Sequence, residues 1–206
     1  MTLLAKVCGL TRAGDAAQAA EAGADLLGFV CHPPSPRHCA DLAIAAAHPD
    51  RAVLVMVSGG PEAVLDTARA FGFRRVQPHL PPAERLRGVA LLREAGLFVL
   101  LPWADEPGQS PAPADLYLWE PSPATTGVAG GSGQGHAQAF PPPGPFLLAG
   151  GLDADLLGER AALVTSEVRP RLRGFDAASR LESAPGRKDP ARVTAFIHAA
   201  HRLELP

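Results

Sequence analysis

Cysteine is scarce in this chain of 206 residues: there are three, Cys8, Cys31 and Cys39. An odd, sparse set does not make the disulfide framework of a secreted protein, and no charged-then-apolar leader precedes Leu3, so a cytoplasmic location is expected. Neither sign of charge is in excess. Lysine and arginine number 19 against 21 acidic residues, a formal charge of −2, which leaves no positive field for wrapping nucleic acid. A phosphate-bearing ligand would need local donors. Long apolar runs are missing as well: stretches such as Ala52 to Val57 and Leu97 to Leu101 are strand-sized, well short of the ~20 apolar residues that span a bilayer. At 21.4 kDa the chain can bury one sizeable core but is short for two, and one domain over residues 1–206 is expected.

What is present is a rhythm. Short apolar runs (Leu3 to Val7, Asp25 to Val30, Ala52 to Val57, Arg75 to Gln77, Leu97 to Leu101) alternate with helix-like stretches (Asp15 to Ala22, Asp41 to Ala47, Pro61 to Ala70, Ala83 to Glu94), several closed by glycine. Leu116 to Trp119, Phe146 to Ala149 and Leu172 to Ala177 add three strands, with helices at Ala154 to Ala161 and Ala191 to Leu203. Eight βα repeats give either an open doubly wound sheet or a closed barrel, and rhythm alone does not choose. Two stretches break the pattern. Pro107, Pro111 and Pro113 forbid a regular helix between 102 and 114, so a proline-rich loop is expected to replace the fifth helix. Residues 121–135, dominated by small side chains, read as a second loop.

In such folds ligands bind beyond the carboxyl ends of the strands, so residues just after each strand carry the information. The first strand ends in Lys6-Val7-Cys8-Gly9-Leu10-Thr11, a thiol at a strand tip before a helix that Thr11 could cap. Neighbouring cations would favour its thiolate, the proton-abstracting form; a buried apolar cysteine is the plain alternative. Ser35-Pro36-Arg37 after the second strand is a rigid turn that could present a guanidinium to a carboxylate or phosphate, or simply a solvated charge. Cys31-His32 and His38-Cys39 lack the spacing of structural zinc ligands, and no metal is expected. Gly130-Gly131-Ser132-Gly133 and Gly150-Gly151 could bring backbone N–H groups to a phosphate, although a glycine pair alone is more often a turn. After the eighth strand Ser179 could orient a phosphate, and Asp176 and Glu182 could be acceptors at the rim.

Taken together, the segments resemble the phosphoribosylanthranilate isomerase family. The motifs are Lys6, Cys8 and Gly9; Ser35 to Arg37; Gln77 and His79; Gly130 to Gly133; Ala149 to Leu152; and Asp176, Ser179, Glu182, Pro185, Gly186, Lys188 and Asp189. Six motifs in the family's order cover nearly the whole chain. The resemblance implies a single (β/α)₈ barrel and an Amadori rearrangement of N-(5-phosphoribosyl)anthranilate. A general acid protonates the furanose oxygen, the ring opens to a Schiff base, and a base removes the C2′ proton to give an enolamine that becomes the ketone. No cofactor is implied, and the partner is a sugar-phosphate substrate, with a monomer or homodimer equally compatible.

By the same resemblance Cys8 is the general base, Arg37 faces the anthranilate carboxylate, and Gly150, Gly151, Asp176 and Ser179 belong to the substrate and phosphate segments. Gly130, Gly131, Ser132 and Gly133 would form a loop that closes over the substrate. The family's acid is an aspartate in a Leu-Leu-Asp context at the sixth strand, where this chain reads Leu116-Tyr117-Leu118-Trp119-Glu120. Glu120 is the natural substitute; an ungapped alignment would set Trp119 there instead. The competing expectation is a barrel of the same family that binds a phosphorylated ligand with altered or lost catalysis.

Overall fold

The computed structural model describes residues 2–104, 111–120 and 140–205. Eight parallel strands follow the apolar runs: β1 (Leu4–Cys8), β2 (Leu26–Cys31), β3 (Ala52–Met56), β4 (Arg75–Pro78), β5 (Phe98–Ala104), β6 (Leu116–Glu120), β7 (Phe146–Leu148) and β8 (Leu172–Ala177). They pair in chain order and close, β8 returning to β1 with Lys6 opposite Asp176. The barrel is therefore the arrangement that the rhythm left open. Closure depends on Gly174, because a Cβ there would stand 2.0 Å from the Leu4 carbonyl oxygen.

Period-two alternation divides the core. Ala5, Val7, Leu27, Phe29, Leu54 and Phe175 belong to the outer layer beneath the helices. Leu26, Val30, Val53, Val55, Leu100, Leu118 and Leu147 form a second, separate cluster with Cys8. That second cluster fills the barrel.

Among the described residues the α-helices are α1 (Ala13–Glu21), α2 (Gly60–Phe71), α3 (Pro82–Glu94), α4 (Leu157–Ala162) and α5 (Pro190–Arg202). Gly72, at φ 73°, ends α2 in the left-handed region. Asp189 caps α5 by accepting from the N–H groups of Ala191 and Arg192. Two expectations need correction. The stretch after β2 is a 3₁₀ helix, Leu42–Ala47, because only six residues separate the Asp41 cap from the turn at His48 and Pro49. Thr11 does not cap α1, whose N-cap is Arg12 with no side-chain bond; the Thr11 hydroxyl instead donates to the Gly186 carbonyl at 2.6 Å.

The proline-rich loop expected over 102–114 is corrected at its start, where 102–104 extend β5 and pair with β6; residues 111–114 carry no regular structure, and 105–110, like the second expected loop at 121–135, lie outside the described residues. A hairpin after β8, formed by β9 (Glu182–Ala184) and β10 (Arg187–Lys188), adds a layer that the rhythm did not announce. Among the described residues no helix is long and apolar enough to cross a membrane.

Candidate active site

Cys8 ends β1 on the barrel-filling face and is 8% exposed. It faces Gly28 across the β1–β2 pair. Two residues deeper on the same face is Lys6, fully buried, with its Nζ 2.5 Å from Asp176 Oδ1. Burial works against the Lys6 charge, but Asp176 first and Cys8 next outweigh it and the pKa is raised.

The same burial pushes the Cys8 thiol up, and Asp176 adds to it, against the opposing pull of Lys6 and Lys188. Of the two readings the sequence left open, burial favours the thiol: the cations are present, but desolvation outweighs them. The resting group is a thiol, and its thiolate, once formed, is a strong base.

Arg37 leaves the turn after β2 and closes a fork on Glu182, Nε to Oε1 at 2.8 Å and Nη2 to Oε2 at 2.9 Å. Glu182 Oε1 also accepts from Lys188 Nζ at 3.0 Å. Lys188 is buried, and desolvation lowers its pKa although Glu182 partly restores it. Ser35, from the same turn, accepts from the Arg37 N–H through its hydroxyl, which stiffens the Ser-Pro-Arg bend.

On the same rim, Gly150 and Gly151 follow β7 with φ values of 96° and 63°. Ser179 is exposed at the start of the 3₁₀ turn Ser179–Leu181 that follows β8. Arg180 bridges these two loops through Asp153, Nη1 to Oδ2 at 3.1 Å. Over the ends of β3, β4 and β5 opens a cavity of about 550 Å³ lined by Val57, Ser58, His79, Arg85 and Pro102. Desolvation at this mouth, with Lys6, His32 and Arg85, lowers the His79 pKa to about 4, so its imidazole is neutral near pH 7.

The structure therefore brings Cys8, Lys6 and Asp176 into one cluster and joins Arg37 to Glu182 and Lys188. Asp176, expected to face substrate, spends Oδ1 on Lys6. Gly130, Gly131, Ser132 and Gly133 lie outside the described residues. Glu120 is the last residue of β6, opposite Ala104 in register and on the parity of Leu116 and Leu118; Trp119 has the other parity and packs edge-on against Phe146 in the outer layer, ring centroids 5.1 Å apart. Sequence reasoning missed Gly28 and gave Lys188 no role. A glycine amid the β-branched and aromatic residues of a central strand was the available signal for the first. Among the described residues no three His, Cys, Asp or Glu side chains converge as metal ligands.

A closed barrel filled mostly by aliphatic side chains, with ionisable groups gathered towards the carboxyl ends of its strands, has the layout of a (β/α)₈-barrel enzyme. No family model matches the chain. It is 37% identical to N-(5′-phosphoribosyl)anthranilate isomerase of Myxococcus xanthus, covering 100% of this chain and 99% of the relative. It is 36% identical to the Deinococcus radiodurans protein of the same name, covering 96% of each. The solved structure of TrpF from Jonesia denitrificans superposes with a TM-score of 0.75 at 28% identity, covering 96% of each chain. The chain belongs to the phosphoribosylanthranilate isomerase family and is an isomerase of tryptophan biosynthesis.

Proposed function

We propose that this enzyme converts N-(5-phosphoribosyl)anthranilate to 1-(2-carboxyphenylamino)-1-deoxyribulose 5-phosphate, with Cys8 as general base and Glu120 as general acid. The observation that carries the reading is the position of Cys8, a thiol on the barrel-filling face at the tip of β1, above the Lys6–Asp176 pair. Glu120 is assigned the acid's role by its register: it ends β6 on the interior parity, at the strand tip where the family resemblance sets its acid. Protonation of the furanose oxygen by Glu120 opens the ring to the Schiff base. Cys8, from the minor thiolate population whose own proton has passed to solvent, then takes the C2′ proton.

Arg37 receives the anthranilate carboxylate, Gly150, Gly151 and Ser179 receive the phosphate, and Gly130 to Gly133 belong to the loop that closes over the substrate; Asp176 supports the cluster from beneath by fixing Lys6. The whole of 1–206 acts as one domain, in the cytoplasm where amino-acid biosynthesis runs, as a monomer or homodimer.

The test follows loss of substrate fluorescence, with the substrate generated in situ, for the wild type, Cys8→Ser and Glu120→Gln. Each variant is expected to lose at least ~10²-fold in kcat, the size of a positioned acid or base. A silent wild type that still binds a reduced product analogue would sink the catalytic assignment and leave a ligand-binding barrel.

A further inference from the structure

The stem of Arg37 lies on bare backbone, since a Cβ on Gly9 would stand 2.7 Å from Arg37 Cδ. Among the described residues its head is held by one edge only. Nε and Nη2 close on the two oxygens of Glu182 at 2.8 and 2.9 Å, and a guanidinium carries a second carboxylate-sized edge, formed by Nη1 and Nη2. Glu182 is fixed in turn. Its carboxylate takes a further hydrogen bond from Lys188 Nζ, which also donates to the Ala178 carbonyl, both at 3.0 Å. Its backbone oxygen accepts from Arg192 Nη1 at 2.7 Å.

The hairpin that carries Glu182 and Lys188 is locked against the two loops it faces. Thr11 donates to the Gly186 carbonyl, and Gly186 lies so close to Pro36 that a Cβ would come within 2.7 Å of the proline oxygen. Thus the loop after β1, the Ser-Pro-Arg turn and the hairpin are one interlocked unit. Two cations share one carboxylate within it. The side chains of Lys188 and Glu182 are 1% and 4% exposed while Arg37 is 27% exposed, so the uncompensated positive charge meets solvent at Arg37.

We propose that Glu182 is a positioning residue for substrate recognition: by holding the Nε–Nη2 edge of Arg37 it presents the Nη1–Nη2 edge to the planar carboxylate of an N-aryl substrate. This rests on the assignment of Arg37 to the anthranilate carboxylate. Glu182 does not itself touch the substrate, and its effect passes through Arg37. The arrangement selects an aromatic acid, since a fixed planar fork favours a fixed planar carboxylate over a flexible chain.

The experiment is a double-mutant cycle on the full chain with Glu182→Gln, Arg37→Lys and the double variant, reading KM, kcat and the Ki of inorganic phosphate. Glu182→Gln is expected to raise KM at least ~10-fold with kcat within about 3-fold, the pattern of lost ground-state binding. The phosphate Ki stays at the wild-type value. In the Arg37→Lys background Glu182→Gln adds no further KM change, because the fork it would orient is gone. An equal KM change in both backgrounds overturns the proposal, and so does a Glu182→Gln variant with wild-type KM. A joint rise in KM and phosphate Ki also overturns it, by making Glu182 a pin of the whole mouth.

Should Glu182→Gln not fold by circular dichroism, Glu182→Asp replaces it in the cycle, since the charge remains but the shortened arm reaches only one point of the fork. Anthranilate binding is measured on the same variants by fluorescence. A wild type that binds anthranilate without turning over substrate refutes the reaction alone, whereas equal anthranilate affinity in wild type and Glu182→Gln refutes the role given to Glu182.

Discussion

Cys8 and Gly28 face one another across the β1–β2 pair, and the thiol fills the space that a side chain at 28 would need. A Cβ there would stand 2.7 Å from Sγ and 3.1 Å from the Cys8 Cα. Because the second contact is to backbone, rotating the thiol away does not relieve it. Gly28→Ala is therefore expected to shift the tip of β1 or expel the thiol from its rotamer, with a loss of about 10²-fold in kcat, as for a misplacement near 1 Å. The stability loss should stay within the ~1–3 kcal/mol of an overpacked core. Steady-state kinetics beside urea denaturation checks both, and a variant with wild-type kcat would show that the close approach has no bearing on catalysis.

The raised pKa of Cys8 fixes the direction of a pH profile. Burial favours the neutral thiol, so the thiolate fraction is small near neutrality and grows as the pH rises beyond the ordinary thiol value of 9.0. Alkylation of Cys8 by iodoacetamide, followed by mass spectrometry, is expected to keep accelerating above that pH without a plateau below it. Cys8→Ser removes the label at this position and serves as the control. The sign of the stability effect is the same: an unfolded chain releases the proton first, so this group's contribution to stability is lost as pH rises past the ordinary value. A plateau near pH 7 would mean that Lys6 and Lys188 prevail over desolvation.

The Lys6–Asp176 pair ties β1 to β8 at the seam where the barrel closes. Both side chains are removed from water, at 0% and 8% exposure, so removing one leaves a buried charge with its partner gone. Lys6→Met and Asp176→Leu are each expected to destabilise by about 3–5 kcal/mol, and the double variant by less than the sum of the two. Urea denaturation of all three measures the coupling. Additive losses would show that the two charges do not depend on each other for their burial.

Much of this was legible because alternation and punctuation are local. The apolar runs placed all eight strands to within a few residues, with β8 read as Leu172 to Ala177 and found there, since a strand buried on both sides is mostly apolar and tolerates a charge such as Asp176 only where a partner meets it. The helix after β2 was misread because a short alanine-rich run satisfies α and 3₁₀ geometry alike. At the site, residues at strand tips could be nominated from position alone, as Cys8 and Arg37 were. Their partners could not. Glu182 lies 145 positions from Arg37, and Asp176 lies 170 from Lys6, so only closure of the barrel brings them together. The ionisation of Cys8 was left open for a related reason: sequence shows which charges are near in order, but not how much water is excluded.

Trp119 and Glu120 are neighbours of opposite parity on β6. Trp119 is 1% exposed and meets Phe146 edge-on at 89° in the layer between barrel and helices, a contact that stabilises beyond the area buried. Trp119→Ala should therefore cost about 3–5 kcal/mol of stability, as large-to-small changes in a core do. Enzyme that remains folded at low temperature should keep kcat within about threefold, since an outward-parity residue does not reach the reacting atoms. Glu120→Gln should do the reverse, leaving the denaturation midpoint nearly unchanged while removing turnover. Both variants are assayed at 10 °C for activity per folded molecule and by urea titration for stability, with temperature chosen only to retain the weaker variant. If Trp119→Ala abolishes turnover while remaining folded, the indole rather than the neighbouring carboxylate governs the acid step, and the register argument that assigns that step to Glu120 fails.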